Sequence, residues 1–379
     1  MQASIYFHIP FCLSKCSYCD FTSFVHPEIS PDSYVELLLE ELILSAKGLE
    51  AITAPTIYFG GGTPSTLTPE QISRLMEAVR KQFTVDKDAE ITLEANPGTV
   101  ILESLKGYLA AGVNRLSIGI QSLDDCQLAL LGRIHSADDA RAAFKAARTA
   151  GFSNIGIDLM HGIPRQTPDA WQETLREAVA LKPEHISVYG LSVEAGTPFA
   201  KKAEKGELNL PDEEQAVTMF EQTAESLCRA GYEHYEISNF ARPGYRSRHN
   251  QVYWRRGNYL GFGAGAHSFL NRPAYGARWE NPPTLGEYAA AVSSGKLPEI
   301  AVSLSSREAM AEFMFLGLRL LEGVDTGEFT LQFGLELEVV FPEVVGRLCE
   351  RGLLSMEGSL LRLTSKGLLL ANLVMGEFV

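Results

Sequence analysis

The sequence predicts an α/β fold: a partial (β/α)6 barrel followed by a small C-terminal α+β domain of winged-helix type. Three observations predict it. Six short apolar runs alternate with longer segments of helical period, the pattern of βα units in a parallel sheet. Polar and glycine-rich residues gather just past each run, at the strand ends where barrel folds keep their sites. From Ser303 the chain changes to helical patterns and then two apolar runs around Glu357-Gly358, which read as a hairpin.

Strands are expected at Ile5–Ile9, Thr56–Phe59, Glu90–Ala95, Arg115–Ile120, Ile155–Met160 and Ile186–Leu191. Ser30-Pro31 supplies an N-cap and an N1 proline for the first helix, whose stripe is Tyr34, Leu37, Leu38, Glu41 and Leu42. Thr68-Pro69-Glu70-Gln71 is a capping box opening a helix through Gln82. Thr167-Pro168 starts another, with Trp171, Leu175, Ala178 and Val179 on one face. A further helix is expected from about Pro211 to Arg229. Residues 232–275 are rich in aromatics, Arg, Asn and Gly and show little period, while Pro282-Pro283 and Ser293–Pro298 read as linker. The expected division is therefore a barrel over 1–230, an extension and linker over 231–300, and a C-terminal domain over 301–379.

Length and charge narrow the function. A chain of 379 residues with 45% apolar content supports a large core. No run of about 18 apolar residues occurs, so no transmembrane helix is expected. A strand begins almost at residue 1 without a basic signal region, which leads to a cytoplasmic expectation. The net charge of −14 weighs against phosphate-backbone binding, so nucleic acid is not an expected partner. In such a compartment six cysteines do not suggest a disulfide framework. Cys126, Cys228 and Cys349 are scattered and read as small apolar residues.

The other three form Cys12-x3-Cys16-x2-Cys19 on the loop after the first strand. Thiolates are the natural ligands of iron in clusters, and a four-iron cluster usually takes four. Three can hold three irons and leave the last open to substrate, as an open metal position does elsewhere. Zinc is the alternative, with His8 or Asp20 as the fourth ligand.

The triad, with Tyr18 before its last cysteine, resembles the radical S-adenosylmethionine superfamily. The resemblance implies a 4Fe–4S cluster on Cys12, Cys16 and Cys19 and a barrel of that superfamily. It also implies S-adenosylmethionine chelated at the open iron through its amino and carboxylate groups, with a reduced cluster able to cleave the sulfonium. Gly60-Gly61-Gly62-Thr63-Pro64 suits that reading, because glycine lets backbone approach a ligand closely.

A narrower similarity, to the oxygen-independent coproporphyrinogen III oxidase family, runs from Tyr6-Phe7-His8-Ile9-Pro10-Phe11-Cys12 through Gly119-Ile120-Gln121-Ser122, Leu131-Gly132-Arg133 and Asp158-Leu159 into the C-terminal domain. It implies that Tyr6, Gly61 and Glu94 contact one S-adenosylmethionine. Tyr18, Gly62, Thr63, Gln121, Arg133 and Asp158 would line a second cofactor position. The oxidases carry a further cysteine two residues after the triad, where this chain has Phe21, and a longer N-terminal segment. Both departures point to the heme chaperone branch of that family. His161 and Arg165 stand where the family usually has Tyr and Gly.

In that branch a His-Asn-x-x-Tyr-Trp motif is associated with heme, and here His249-Asn250-Gln251-Val252-Tyr253-Trp254 matches it. Imidazole is a common axial ligand of heme, and Tyr253 and Trp254 offer flat apolar faces. Arg246, Arg248, Arg255 and Arg256 could pair with propionates. His267 is a second candidate. The resemblance thus implies a chaperone that holds heme and passes it to apo-hemoproteins such as membrane respiratory enzymes, standing peripherally at the inner membrane, with dimerisation controlled by the cluster. The alternatives are a coproporphyrinogen III oxidase and, more remotely, a radical enzyme acting on RNA.

Overall fold

The computed structural model describes residues 1–47, 51–272, 274–297 and 302–379. Six strands lie parallel in sequence order: β1 (Ser4–Ile9), β2 (Thr53–Gly61), β3 (Thr84–Ala95), β4 (Arg115–Gln121), β5 (Ile155–His161) and β6 (His185–Gly190). The helices between them are α1 (Pro31–Ala46), α2 (Pro69–Gln82), α3 (Leu102–Ala111), α4 (Asp125–Leu131), α5 (Ala137–Ala150) and α6 (Pro168–Leu181). After β6 come α7 (Pro198–Glu204) and α8 (Glu213–Arg229). The expected start signals are realised: the Ser30 and Thr167 side chains cap α1 and α6, and Thr68 and Gln71 form both bonds of a capping box.

The segment expected as an aperiodic extension contributes strands to the same sheet. β7 (Glu233–Glu236) and β8 (Asn239–Ala241) add antiparallel strands beside β6. After helix α9 (Arg248–Trp254), strand β9 (Tyr259–Phe262) joins β1 in parallel. β10 (His267–Leu270), β11 (Ala277–Glu280), helix α10 (Leu285–Ser293) and β12 (Val302–Ser303) follow, and the three strands extend the sheet antiparallel. Twelve strands among the described residues therefore form one sheet. Ser293 ends α10 rather than starting a linker; Pro298 and the boundary expected at 300–301 lie outside the described residues.

The C-terminal domain has its own core, around Met314, Phe329, Leu337, Leu348 and Leu361. It comprises α11 (Ser306–Gly317), β13 (Val324–Asp325), α12 (Thr326–Phe333), α13 (Leu337–Val340) and α14 (Pro342–Glu350). The expected hairpin is β14 (Leu354–Glu357) with β15 (Leu360–Leu363), and α15 (Ser365–Leu369) and α16 (Ala371–Gly376) close the chain.

Strand alternation decides what the barrel encloses. In β1, Ile5, Phe7 and Ile9 point one way into the main core, where Phe7 stacks on Phe59 at 4.9 Å and lies 5.5 Å from Phe262. Ser4, Tyr6 and His8 point the other way. The same parity, carried across the registers, gives Thr56, Tyr58, Glu90, Thr92, Glu94, Arg115, Ser117, Asp158, His185 and Ser187. The barrel interior is thus a polar column bounded by an apolar shell.

Candidate functional site

At the C-terminal mouth of the column the chain leaves β1 and forms the cysteine loop. Backbone bonds pin both ends: Cys12 N–H donates to Phe24 O at 3.0 Å, and Phe24 N–H to Pro10 O at 2.7 Å. Ser17 N–H donates to Leu131 O at 2.9 Å, and Lys15 Nζ donates to Phe21 O at 2.7 Å. Cys12, Cys16 and Cys19 are free thiols, each half-buried. All three open onto one cavity of about 440 Å³, within the size range of small-molecule sites.

The cavity wall brings together most of the residues expected there. Tyr18, Gly61, Gly62, Thr63, Glu94, Gln121, Arg133 and Asp158 all line it. Tyr6 does not: its hydroxyl bonds His8 Nδ1 at 3.1 Å and its ring stacks on Tyr58 below the cavity, because strand parity buries it inside the column. A Cβ on Gly62 would come within 2.8 Å of Phe11 O and 3.1 Å of Cys12 Sγ, so only glycine lets this strand end sit against the cysteine loop. Cys12 Sγ lies 3.6 Å from Thr63 Oγ1. Arg133 donates to Cys16 Sγ at 3.4 Å and to Gly119 O at 2.7 Å.

Several of these groups carry marks of a ligand site. Gln121 holds a left-handed φ of 68°, a conformation that costs a non-glycine residue free energy and collects at functional sites. Gln121 Oε1 and Arg133 Nε are buried without partners among the described residues, although both side chains line the cavity. Glu94 accepts from Tyr58 O–H at 2.7 Å and from Gly61 N–H at 3.2 Å. Burial pushes its pKa up to about 7 against those two bonds, and Asp158 adds to the rise. Asp158 is also raised by burial, against hydroxyl bonds from Ser187 and Ser117. Two carboxylates in one cavity, when ionised, favour a cationic guest. Arg165 takes a φ of 65°, which accounts for the glycine usual at that place.

Sequence reasoning missed Tyr58, Ser117 and Ser187, which hold the carboxylates from mid-strand. The signal was present: polar residues recur at every second position of β1, β2 and β6. It also left Tyr189 without a role and read Phe21 only as a departure from the oxidases, though both line the cavity and are exposed.

The His249 segment, expected from the resemblance to hold heme, lies elsewhere. Helix α9 closes the opposite end of the column. Its first two backbone N–H groups, from Arg248 and His249, donate to Glu90 at 3.1 and 3.0 Å. His249 Nδ1 lies 2.7 Å from Thr56 Oγ1, whose hydroxyl donates to Ser4, so Nδ1 carries the proton. The remaining lone pair, on Nε2, accepts from Tyr253 O–H at 2.9 Å. The ring is 1% exposed, stacks on Tyr58 at 4.8 Å, and burial drives its pKa down to about 3. Thr56 precedes Gly61 by five residues, roughly 16 Å along a strand. None of His249, Asn250, Tyr253 or Trp254 lines the large cavity. Asn250 instead borders a polar chamber of about 40 Å³ inside the column. Of the flanking arginines, Arg256 is buried against Glu312 and Arg255 pairs with Glu322, so neither stands free for a propionate. His267, at the start of β10, is exposed and 3.4 Å from Glu280.

Comparison with known proteins agrees with the geometry. Residues 6–178 match the radical SAM superfamily, and 304–370 match the HemN C-terminal domain. The chain is 38% identical over 378 residues to the heme chaperone HemW of Bacillus subtilis, covering 99% of both proteins. It is 37% identical over 377 residues to that of Escherichia coli, covering 99% of this chain and 98% of the relative. Among solved structures, the coproporphyrinogen III oxidase HemN of Escherichia coli, described as a radical SAM enzyme, superposes with a TM-score of 0.85 at 26% identity. That superposition covers 99% of this chain and 89% of the other.

Proposed function

Because the chain belongs to the radical S-adenosylmethionine superfamily and, within it, to the heme chaperone HemW family, we propose that the mouth cavity is its cofactor site and that it delivers heme to apo-hemoproteins. The observation that carries the chaperone reading is the match to HemW over essentially the whole length, with Phe21 where the oxidases carry their further cysteine. Recipients among membrane respiratory enzymes, a cytoplasmic location with peripheral membrane contact, and a cluster-dependent homodimer are parts of this proposal. No described helix is long and apolar enough to cross a membrane.

Cys12, Cys16 and Cys19, which open onto one cavity, would hold the 4Fe–4S cluster. Bound there, the cluster would supply an open iron and an electron. Gly61, Gly62, Thr63, Glu94, Gln121, Arg133 and Asp158 bind and orient S-adenosylmethionine, and Tyr18 walls the cavity. Tyr6 acts from beneath, through Tyr58. Heme binds outside the buried His249 ring, with exposed His267 at the barrel rim as the accessible imidazole.

Two measurements separate chaperone from oxidase. Anaerobically reconstituted protein titrated with heme develops a Soret band and passes heme to an apo-hemoprotein. Given coproporphyrinogen, S-adenosylmethionine and a reductant, it forms no protoporphyrinogen; formation of that product favours the oxidase reading instead.

Two further outcomes follow from the cavity. Gly62→Ala forces a methyl group into Phe11 O and Cys12 Sγ, so reconstituted iron content drops to less than half, read by iron and sulfide analysis. S-Adenosylmethionine carries a sulfonium and an amino group that the ionised Glu94 favours. Since the Glu94 carboxyl is raised to about 7, cofactor affinity strengthens as pH rises through that value and weakens as it falls. Calorimetric titration between about pH 6 and 8 shows this slope, and Glu94→Gln binds more weakly with a flatter profile. A wild-type profile without slope in that range contradicts the assignment of Glu94.

A further inference from the structure

We propose that helix α9 is a positioning strut that supports the Glu94 side of the S-adenosylmethionine cavity and couples it to the C-terminal domain, with His249 serving this strut and not as an iron ligand. The inference rests on the cofactor assignment above.

The two ends of α9 are fastened to different bodies. At the N-terminal end, Glu90 of β3 takes two backbone N–H groups, Ser247 Oγ accepts from Asn250 N–H at 3.3 Å, and Ser247 N–H donates to the Tyr235 hydroxyl oxygen at 3.2 Å. His249 fills the base of the column between Thr56 and Tyr253, and its ring supports the face of Tyr58. Tyr58 in turn places its hydroxyl on Glu94 Oε1, while the other Glu94 oxygen holds the Gly61 N–H at the cavity wall. Three contacts therefore run from the helix to the mouth: His249 to Tyr58, Tyr58 to Glu94, and Glu94 to Gly61, which lines the cavity.

The C-terminal end of α9 is fastened to the other domain. The Arg319 guanidinium lies 4.2 Å over the Trp254 ring, and Arg319 also pairs with Glu236 at 3.6 Å. Arg255 pairs with Glu322, which Arg246 also approaches at 3.7 Å. Arg256, two residues past Trp254, donates to Glu312 of α11 at 2.9 Å. The His, Tyr and Trp of the motif thus divide their work. His249 and Tyr253 face the column, and Trp254 faces the C-terminal domain. In barrel folds the end away from the strand C-termini serves stability and placement, and this motif closes that end.

The test uses full-length, cluster-loaded protein with three variants. Tyr253→Phe removes only the hydroxyl on Nε2, and His249→Gln keeps a hydrogen-bonding group beside Thr56 while removing the ring under Tyr58. Arg319→Met breaks the contact with Trp254 from the far side. We expect His249→Gln and Tyr253→Phe to leave the Soret maximum and amplitude of the heme complex unchanged. Both weaken S-adenosylmethionine binding, by about three- to tenfold. Wild-type protein gains hydrogen-exchange protection in α11 on adding S-adenosylmethionine. Arg319→Met binds the cofactor normally and loses that protection, which simple destabilisation does not produce. A shifted or absent Soret band in His249→Gln with unchanged cofactor affinity overturns the proposal and restores the imidazole as ligand. Unchanged cofactor affinity in both column variants, or no cofactor-dependent protection in wild type, overturns the coupling. If wild-type protein takes up no heme, the chaperone reading fails by itself, while affinity and exchange still decide the strut.

Discussion

Alanine in place of Cys12, Cys16 or Cys19, one at a time, gives protein that folds normally and carries no four-iron cluster. Iron falls from about four atoms per chain to near zero, and the broad visible absorbance of the cluster goes with it. The size of the effect follows from the count of ligands. Three thiolates already leave one iron without a protein donor, so losing another leaves two open irons on a half-buried loop exposed to water. The fold survives because the cysteine side chains carry little of the packing. The loop is held by the Cys12–Phe24 and Ser17–Leu131 backbone bonds and by Lys15 on Phe21 O, none of which involves a sulfur. S-Adenosylmethionine affinity falls with the cluster by more than about a hundredfold, or about 2.7 kcal/mol, since the chelate at the open iron is lost while two buried carboxylates remain. Cys126→Ala, at an exposed position, is the control and loads iron like wild type. A Cys16→Ala protein with full iron and sulfide content would remove the triad from the site.

How much of this was legible in the sequence depended on how local the signal was. The six parallel strands and their helices were readable because each is marked within a few residues. Proline and an N-cap open the helices at Ser30, Thr68 and Thr167, and a glycine or polar break ends each strand. The cavity wall was readable for the same reason, since Gly61, Glu94, Gln121 and Asp158 sit at or near those breaks. β7 to β11 were not readable, because strands of three or four residues such as Asn239–Ala241 are too short to show a period, and only their neighbours define them. The place of the His249 hexad was not readable for a different reason. Its composition suits a heme pocket, yet which end of the barrel it closes depends on pairing with Thr56 and Glu90, about 160 to 190 residues earlier in the chain. Tyr58 shows the intermediate case. Its parity in β2 is the interior one, a signal the sequence carries, but only the register places it between Glu94 and His249.

Glu312→Ala produces the largest loss of stability, about 3–5 kcal/mol, because it removes one partner of a buried ion pair. Glu312, on α11, accepts from Arg256 Nε at 2.9 Å and from Arg278 Nη1 at 2.9 Å. Arg256 is 5% exposed, and its Nη1 has no partner among the described residues. Removing the carboxylate therefore strands a guanidinium in the interior, where burial already depresses its pKa. Arg278 is half-exposed and can turn to water. The pair Arg229–Glu225, more than 60% exposed on both sides, is the contrast: Glu225→Ala there costs within about 0.5 kcal/mol. Chemical denaturation read by two probes, one per domain, is the measurement, since a chain with two cores need not unfold in one step. The C-terminal transition moves first and furthest, because Arg256 follows the helix that joins the two cores. The double variant Arg256→Met with Glu312→Leu recovers most of the loss, as apolar replacement of a whole buried pair often does. Recovery of stability in that variant without recovery of cofactor-dependent protection in α11 separates what the pair contributes to holding the domains from what it contributes to coupling them.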